Sequence, residues 1–145
     1  MDINLSDLHK EIDESVRKIC SEFSDDYWME CDEEARFPEE FYNAMAKSGW
    51  LGITMPEELG GAGLGVTEAA IMMHAVAASG GGQSAASAIH INLFGPHSIV
   101  VHGSEEKKKS WLVPLSKGEE KAWFGVTEPD AGLETTSIKN IATKG

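Results

Sequence analysis

Residues Trp123-Phe124-Gly125-Val126-Thr127-Glu128-Pro129-Asp130-Ala131-Gly132 carry a short apolar run into a polar turn. Proline lacks an amide hydrogen and pushes the residue before it out of helical geometry, so the run is expected to stay extended to Thr127 and then turn. Such a junction is a strand end with exposed polar groups, aiming backbone amides and the Thr127 hydroxyl at one point in space. Glu128 has the chemistry of a general base. Its place beside Pro129 in a turn favours a structural hydrogen-bonding role instead.

Other reactive side chains have weaker spacing. His90, His97 and His102 lie seven and five residues apart, without a His pair four residues apart or a nearby Cys, and Pro96 falls between the first two. That pattern suits core or pocket-lining histidines better than metal ligands. Ser84, Ser87 and Ser98 lack the strand-elbow context and acid partners of an activated nucleophile. The run Gly61-Ala62-Gly63-Leu64-Gly65 invites a nucleotide-binding interpretation. It has no strand before it, no third glycine at the proper step and no acid after a second strand, so it reads as backbone that turns tightly and packs closely.

The elements that must position these groups are mainly helices. Leu5, Leu8, Ile12, Val16, Ile19, Cys20 and Phe23 recur at three- and four-residue steps and form one stripe of a long amphipathic helix, capped by Asn4 or Ser6. The acidic stretch Asp25, Asp26, Glu30, Asp32, Glu33 and Glu34 reads as a solvated helix end and loop. A second helix is expected from about Pro38 to Ser48, with acids in its first turn and Gly49 at its exit. A loop should fill Trp50 to Gly65. Thr67 then caps a helix to about Ala78, which Gly80 to Gly82 break. Ser84 begins another helix, which Gly95 and Pro96 kink or divide before Val101, and Ser104 with Glu105 and Glu106 opens a last one ending near Pro114. Lys121 to Thr127 reads as strand, with Ser137 to Thr143 as a second candidate.

Composition limits the partners. With 145 residues, 41% of them hydrophobic, the chain is the size of one ordinary domain and can bury a sizeable core. A net charge of -12 argues against nucleic acid or an anionic membrane surface as the main partner. Cys20 and Cys31 are too sparse for a disulfide framework, and with no secretory leader before them both are expected to be reduced thiols in the cytoplasm or an organellar lumen. His, Gly, Ser or Pro interrupt the apolar stretches around Ala69 to Ala78 and Ala85 to Val101, so neither suits a membrane span.

Three motifs stand in a recognisable order: Met55-Pro56-Glu57-Glu58-Leu59-Gly60-Gly61-Ala62-Gly63, then Gly103-Ser104-Glu105-Glu106-Lys107-Lys108-Lys109-Ser110-Trp111-Leu112, then Val126-Thr127-Glu128-Pro129. Together they resemble the front of an acyl-CoA dehydrogenase. The resemblance covers essentially the whole chain but only the front third to half of such an enzyme. It implies an all-α fold, a bundle of about five to six helices over residues 1–118, followed by a short C-terminal β segment at 119–145 that begins a middle β-domain.

The resemblance also implies chemistry. Family members remove the α-proton of an acyl-CoA thioester with a carboxylate while the β-hydrogen leaves as hydride to FAD. The base comes from a carboxy-terminal domain that this chain lacks, so it implies no catalytic residue here and a chain inactive alone. Phe124 resembles the aromatic residue beside the flavin ring, and Val126 and Thr127 match positions that hydrogen-bond it. Where many relatives have Gly-Ser-Asp, this chain has Gly132, Leu133 and Glu134. A backbone group of Leu133 or the side chain of Thr135 would replace the missing serine hydroxyl. Ala86, Ser87, His90 and Phe94 match the helix face toward the acyl group, with core packing the competing reading for Phe94. The implied partners are an acyl-CoA substrate, an electron-transfer flavoprotein-type acceptor and further copies of the chain in a dimer or tetramer. The implied location is the bacterial cytoplasm or the mitochondrial matrix. Two alternatives keep the fold: a non-catalytic helical binding or assembly module, and a flavin oxidase or monooxygenase.

Overall fold

Ser6 starts the first helix, its Oγ accepting a hydrogen bond from the His9 amide at 3.2 Å. Helix α1 (Asp7–Cys20) buries Ile12, Val16 and Cys20, which are spaced four apart on the expected stripe. The computed structural model describes residues 5–123, 125–141 and 143. The acidic stretch expected as helix end and loop is itself a helix, α2 (Asp25–Glu33), capped by the Ser24 side chain. Its acids point to solvent while Trp28 and Cys31, three apart, turn inward. Two apolar residues on one face are enough to dock a two-turn helix, and the charge run hid them. Helix α3 (Glu39–Lys47) buries Phe41, Tyr42, Met45 and Ala46 and leads to Gly49 at φ 81°, as its expected exit requires.

Residues 50–65 form the expected loop, with two 3-10 turns at Trp50–Gly52 and Glu57–Leu59. The loop is bonded to itself: the Ala62 amide donates to Gly52 O at 3.0 Å, Gly63 to Met55 O at 2.8 Å and Leu64 to Ile53 O at 3.0 Å. A Cβ on Gly61 would run into the Met55 carbonyl oxygen. The glycines are therefore spent on close backbone approach, and the amides of Gly61, Ala62 and Gly63 are already used within the loop.

Helix α4 (Val66–Ala77) starts one residue before Thr67, because the Glu68 carboxylate reaches back to accept the Gly65 amide at 2.9 Å. Helix α5 (Gly82–Phe94) follows the glycine break, and Gly95 and Pro96 divide it from α6 (His97–His102). Gly81 lies so close to Trp28 that an added Cβ would stand 2.5 Å from its Cε2 and Cζ2. The last helical stretch is α7 (Glu105–Lys107), a π turn (Lys108–Leu112) and α8 (Val113–Ser116). It runs past the expected end at Pro114, which stands in the first turn of α8 directly after the π turn.

α1 packs on α4, α4 on α5, and α3 closes on α1 and α5. Their shared core holds Val16, Trp28, Phe41, Met45, Met72, Val76, Ile89 and Leu93, while Met55, Leu59, Leu112 and Leu115 form a smaller cluster under the last helices. Cys20 and Cys31 are free and buried. The fold is all-α, as expected. The C-terminal β segment is not formed: among the described residues of 119–143 there is no strand, only an isolated antiparallel bridge between Glu128 and Ala131. A strand exists only when a neighbour accepts its ladder, and the described residues offer none.

Candidate functional site

α5 shows little contrast between its faces, so its neighbours decide which face does what. Ala85, Ala86, Ile89 and Leu93 are buried. Ser87, His90 and Phe94 lie on the outward stripe together with Gln83, whose amide donates to Ser87 Oγ at 3.1 Å. Three of the four residues expected to face an acyl group thus share a surface, whereas Ala86, at 8% exposure, is turned into the core. Phe94 is 41% exposed, so it is not a core residue; Leu93 beside it takes that place. The His90 and Phe94 rings lie 4.4 Å apart.

Two grooves flank this stripe. One, of about 430 Å³, lies between α4 and α5 and is lined by Leu64, Val66, Ala69, Met73, Phe94 and the two histidines His90 and His97. The second, also about 430 Å³, lies between α5 and residues 121–123, with Ser87, Ile91 and Asn92 on one wall and Lys121, Ala122 and Trp123 on the other. It joins the expected substrate face to the chain that leads into the Thr-Glu-Pro turn.

That chain is held by polar contacts which sequence reasoning missed. Asn92 is 2% exposed; its Nδ2 donates to Tyr42 Oη at 2.6 Å and its Oδ1 accepts from the Ala122 amide at 2.9 Å. Tyr42 Oη in turn donates to Glu120 O at 3.0 Å. An amide N–H can only donate and a carbonyl can only accept, so both ends of the chain of bonds fix its direction and the Asn92 orientation. Burial raises the Tyr42 pKa above its ordinary value, keeping the phenol protonated, although the Asn92 hydrogen bond pulls the other way. Lys121 Nζ meets both Glu39 carboxylate oxygens at 2.9 Å and lies over the Phe37 and Tyr42 rings. The signal available in the sequence was a lone Asn inside Ile89–Leu93, since an amide buried among apolar residues must have partners.

Beyond the anchor, Val126 is half-buried, Thr127 exposed and Leu133 fully exposed; Phe124 lies outside the described residues. Among the described residues nothing accepts from the Val126 and Thr127 amides or pairs with the Thr127 hydroxyl. Glu128 is structural, as its turn position suggested: its two carboxylate oxygens accept from the Lys139 and Asn140 amides, each at 2.9 Å, closing the loop 128–140. Its backbone exchanges two hydrogen bonds with Ala131. Thr135 begins a 3-10 turn, and its amide donates to Leu133 O at 3.1 Å. Among the described residues no helix is long and apolar enough to cross a membrane.

Fold and site together define a helical domain with an anchored segment beyond it, whose Val126 and Thr127 amides have no acceptor among the described residues. The family model described as "Acyl-CoA dehydrogenase, N-terminal domain" matches residues 6–119, and the chain belongs to the acyl-CoA dehydrogenase family. It is 33% identical over 142 residues to the short-chain specific acyl-CoA dehydrogenase of Clostridium acetobutylicum, covering 98% of this chain and 37% of that one. It is 34% identical over 133 residues to the acryloyl-CoA reductase (NADH) of Anaerotignum propionicum, covering 89% of this chain and 33% of the other. Among solved structures, a chain from work on the electron transferring flavoprotein of Acidaminococcus fermentans superposes with a TM-score of 0.83 at 27% identity, covering 94% of this chain and 36% of that one. The chain thus spans about a third of the length of the relatives it matches.

Proposed function

We propose that this chain is the front of an FAD-dependent acyl-CoA dehydrogenase, with residues 1–118 as its helical domain and 119–145 as the beginning of its middle domain. The observation that carries this reading is the groove shared by Ser87 on α5 and residues 121–123. In this reading the groove runs between the helix that faces the substrate and the chain that leads into the flavin edge. Ser87, His90 and Phe94 wall the acyl group, with Ala86 behind them. The Val126 and Thr127 amides and the Thr127 hydroxyl, which have no partner among the described residues, suit a ring bearing acceptor atoms, with Leu133 at its edge; Phe124 keeps the role its sequence position implies. FAD, when bound, supplies the acceptor for a hydride leaving the β-carbon. The chain's own residues bind and orient; none of them is assigned the α-proton. In this reading the whole protein is a homo-oligomer that hands electrons to an electron-transfer flavoprotein-type acceptor. A second reading runs the same chemistry in reverse as an enoyl thioester reduction, favoured by the similarity to the acryloyl-CoA reductase.

Equilibrium dialysis of FAD against the purified chain, with flavin fluorescence read with and without butyryl-CoA, tests the proposal. Binding at about 1 μM or tighter, weakened by Thr127→Val, is the expected outcome. Absence of FAD binding at millimolar chain would refute a flavin edge assembled by these residues and favour a non-catalytic helical module.

A further inference from the structure

The Asn92 carboxamide and the Tyr42 phenol do more than fill the core. Each could have been an apolar residue of similar volume, and a buried polar group left unpaired costs stability. Instead both are spent on two main-chain groups of a single short segment, Glu120 O and the Ala122 amide. Lys121, between those two, is fixed from the other side by Glu39 at 2.9 Å and by the Phe37 and Tyr42 rings. Three consecutive residues are thus held at three points by α3, α5 and Phe37. Gly118 sets the approach: at φ 73° it turns the chain so closely onto α3 that a Cβ would stand 2.6 Å from Ala46 Cβ. No strand pairing holds this segment among the described residues, so side chains do the work that a sheet would otherwise do.

We propose that Asn92 is a positioning residue: locked by Tyr42, it fixes the register in which residues 120–122 leave the helical body and thereby places the Val126–Thr127 donors. The last step rests on the flavin reading above; the anchoring itself does not. Because Asn92 sits on α5 with Ser87, His90 and Phe94, one helix holds the proposed substrate wall and the proposed flavin edge in a fixed relation. A slip of a single residue at Ala122 would move the Val126 and Thr127 amides one position along the segment.

Amide hydrogen exchange on the full 145-residue chain tests this. In the unmodified chain the Ala122 amide should be protected, and Asn92→Leu should speed its exchange about tenfold or more while amides in α1 and α4 keep their protection. Tyr42→Phe, which keeps the ring but loses the link to Glu120, should give an intermediate change. Asn92→Asp, which retains an acceptor for the Ala122 amide, should restore protection relative to Asn92→Leu. An unprotected Ala122 in the unmodified chain would overturn the proposal, as would exchange unchanged in both Asn92→Leu and Tyr42→Phe. Should Asn92→Leu fail to fold, the Tyr42→Phe result decides. FAD affinity measured on the same variants separates the two claims. Protected Ala122 without FAD binding sinks the flavin reading and leaves the anchor standing, whereas FAD affinity lost in step with Ala122 protection supports both.

Discussion

Replacing Gly61 with alanine tests what the glycine-rich loop is for. An added Cβ would stand 2.5 Å from Met55 C and 2.6 Å from Gly52 O, with the Met55 carbonyl oxygen nearer still. Gly61 has no positive φ, so alanine suffers no backbone strain there and the whole cost is contact. Main-chain atoms cannot swing aside as a side chain does. Relief requires opening the loop, which threatens the bonds Gly61 N to Pro56 O at 3.1 Å, Ala62 N to Gly52 O at 3.0 Å and Gly63 N to Met55 O at 2.8 Å. Two or three such bonds at about 1 kcal/mol each give a loss of about 3 kcal/mol. For a domain of this size that lowers Tm by about 10 °C. Gly132→Ala is the control, because an added Cβ there meets nothing within 4 Å and the expected change lies within about 0.5 kcal/mol. Thermal melts followed by circular dichroism compare the two. A Gly61→Ala melt within 2 °C of the parent, roughly the effect of 0.5 kcal/mol, would refute the packing argument and reopen the loop as a ligand cradle.

Two further outcomes follow from burial and charge. Leu93→Ala should cost about 2–4 kcal/mol and Phe94→Ala about 1 kcal/mol or less, since the first is 9% and the second 41% exposed; urea titration measures both, and equal losses would return Phe94 to the core. The hydrogen bond from His9, followed by the Glu68 backbone contact, lowers the Glu68 pKa below its ordinary 4.5. A depressed folded-state value stabilises above that ordinary value and is lost as pH falls through the folded one, so Glu68→Gln should flatten the acid limb of a stability profile between pH 6 and pH 3. An acid limb unchanged in that variant would show that the α1–α4 contact contributes nothing to it.

Periodicity located α1, α3 and the loop at 50–65 because each has strong contrast between its faces or an unmistakable breaker such as Gly49 at φ 81°. It missed α2, where five acids outvoted Trp28 and Cys31, and the run Lys121–Thr127, read as strand from its apolar residues and the proline after it, has no strand partner among the described residues. The second has a plain physical origin. A helix satisfies its own backbone, while a strand depends on a partner that no local pattern reveals. The site residues show the same limit. Turn chemistry correctly made Glu128 structural, since Pro129 and Gly132 bracket it, yet the two amides it accepts from lie eleven and twelve residues further on.

Helix α5 was the least legible element and does the most. Small and apolar residues outnumber Gln83, His90 and Asn92 along it, so the 3.6-residue pattern could not say which face is core, and the inward turn of Ala86 followed only from the packing of α3 and α4 against it. Weak contrast of this kind is expected of a helix with neighbours on more than one flank. Here α4 covers one flank, residues 121–123 another, and the stripe of Gln83, Ser87, His90 and Phe94 remains open. Asn92 stands at the one place where α5 must recognise backbone rather than side chain. An apolar residue there could fill the same space beside Tyr42, but it would leave the Ala122 amide without the acceptor that ties this residue, rather than a neighbour, to α5.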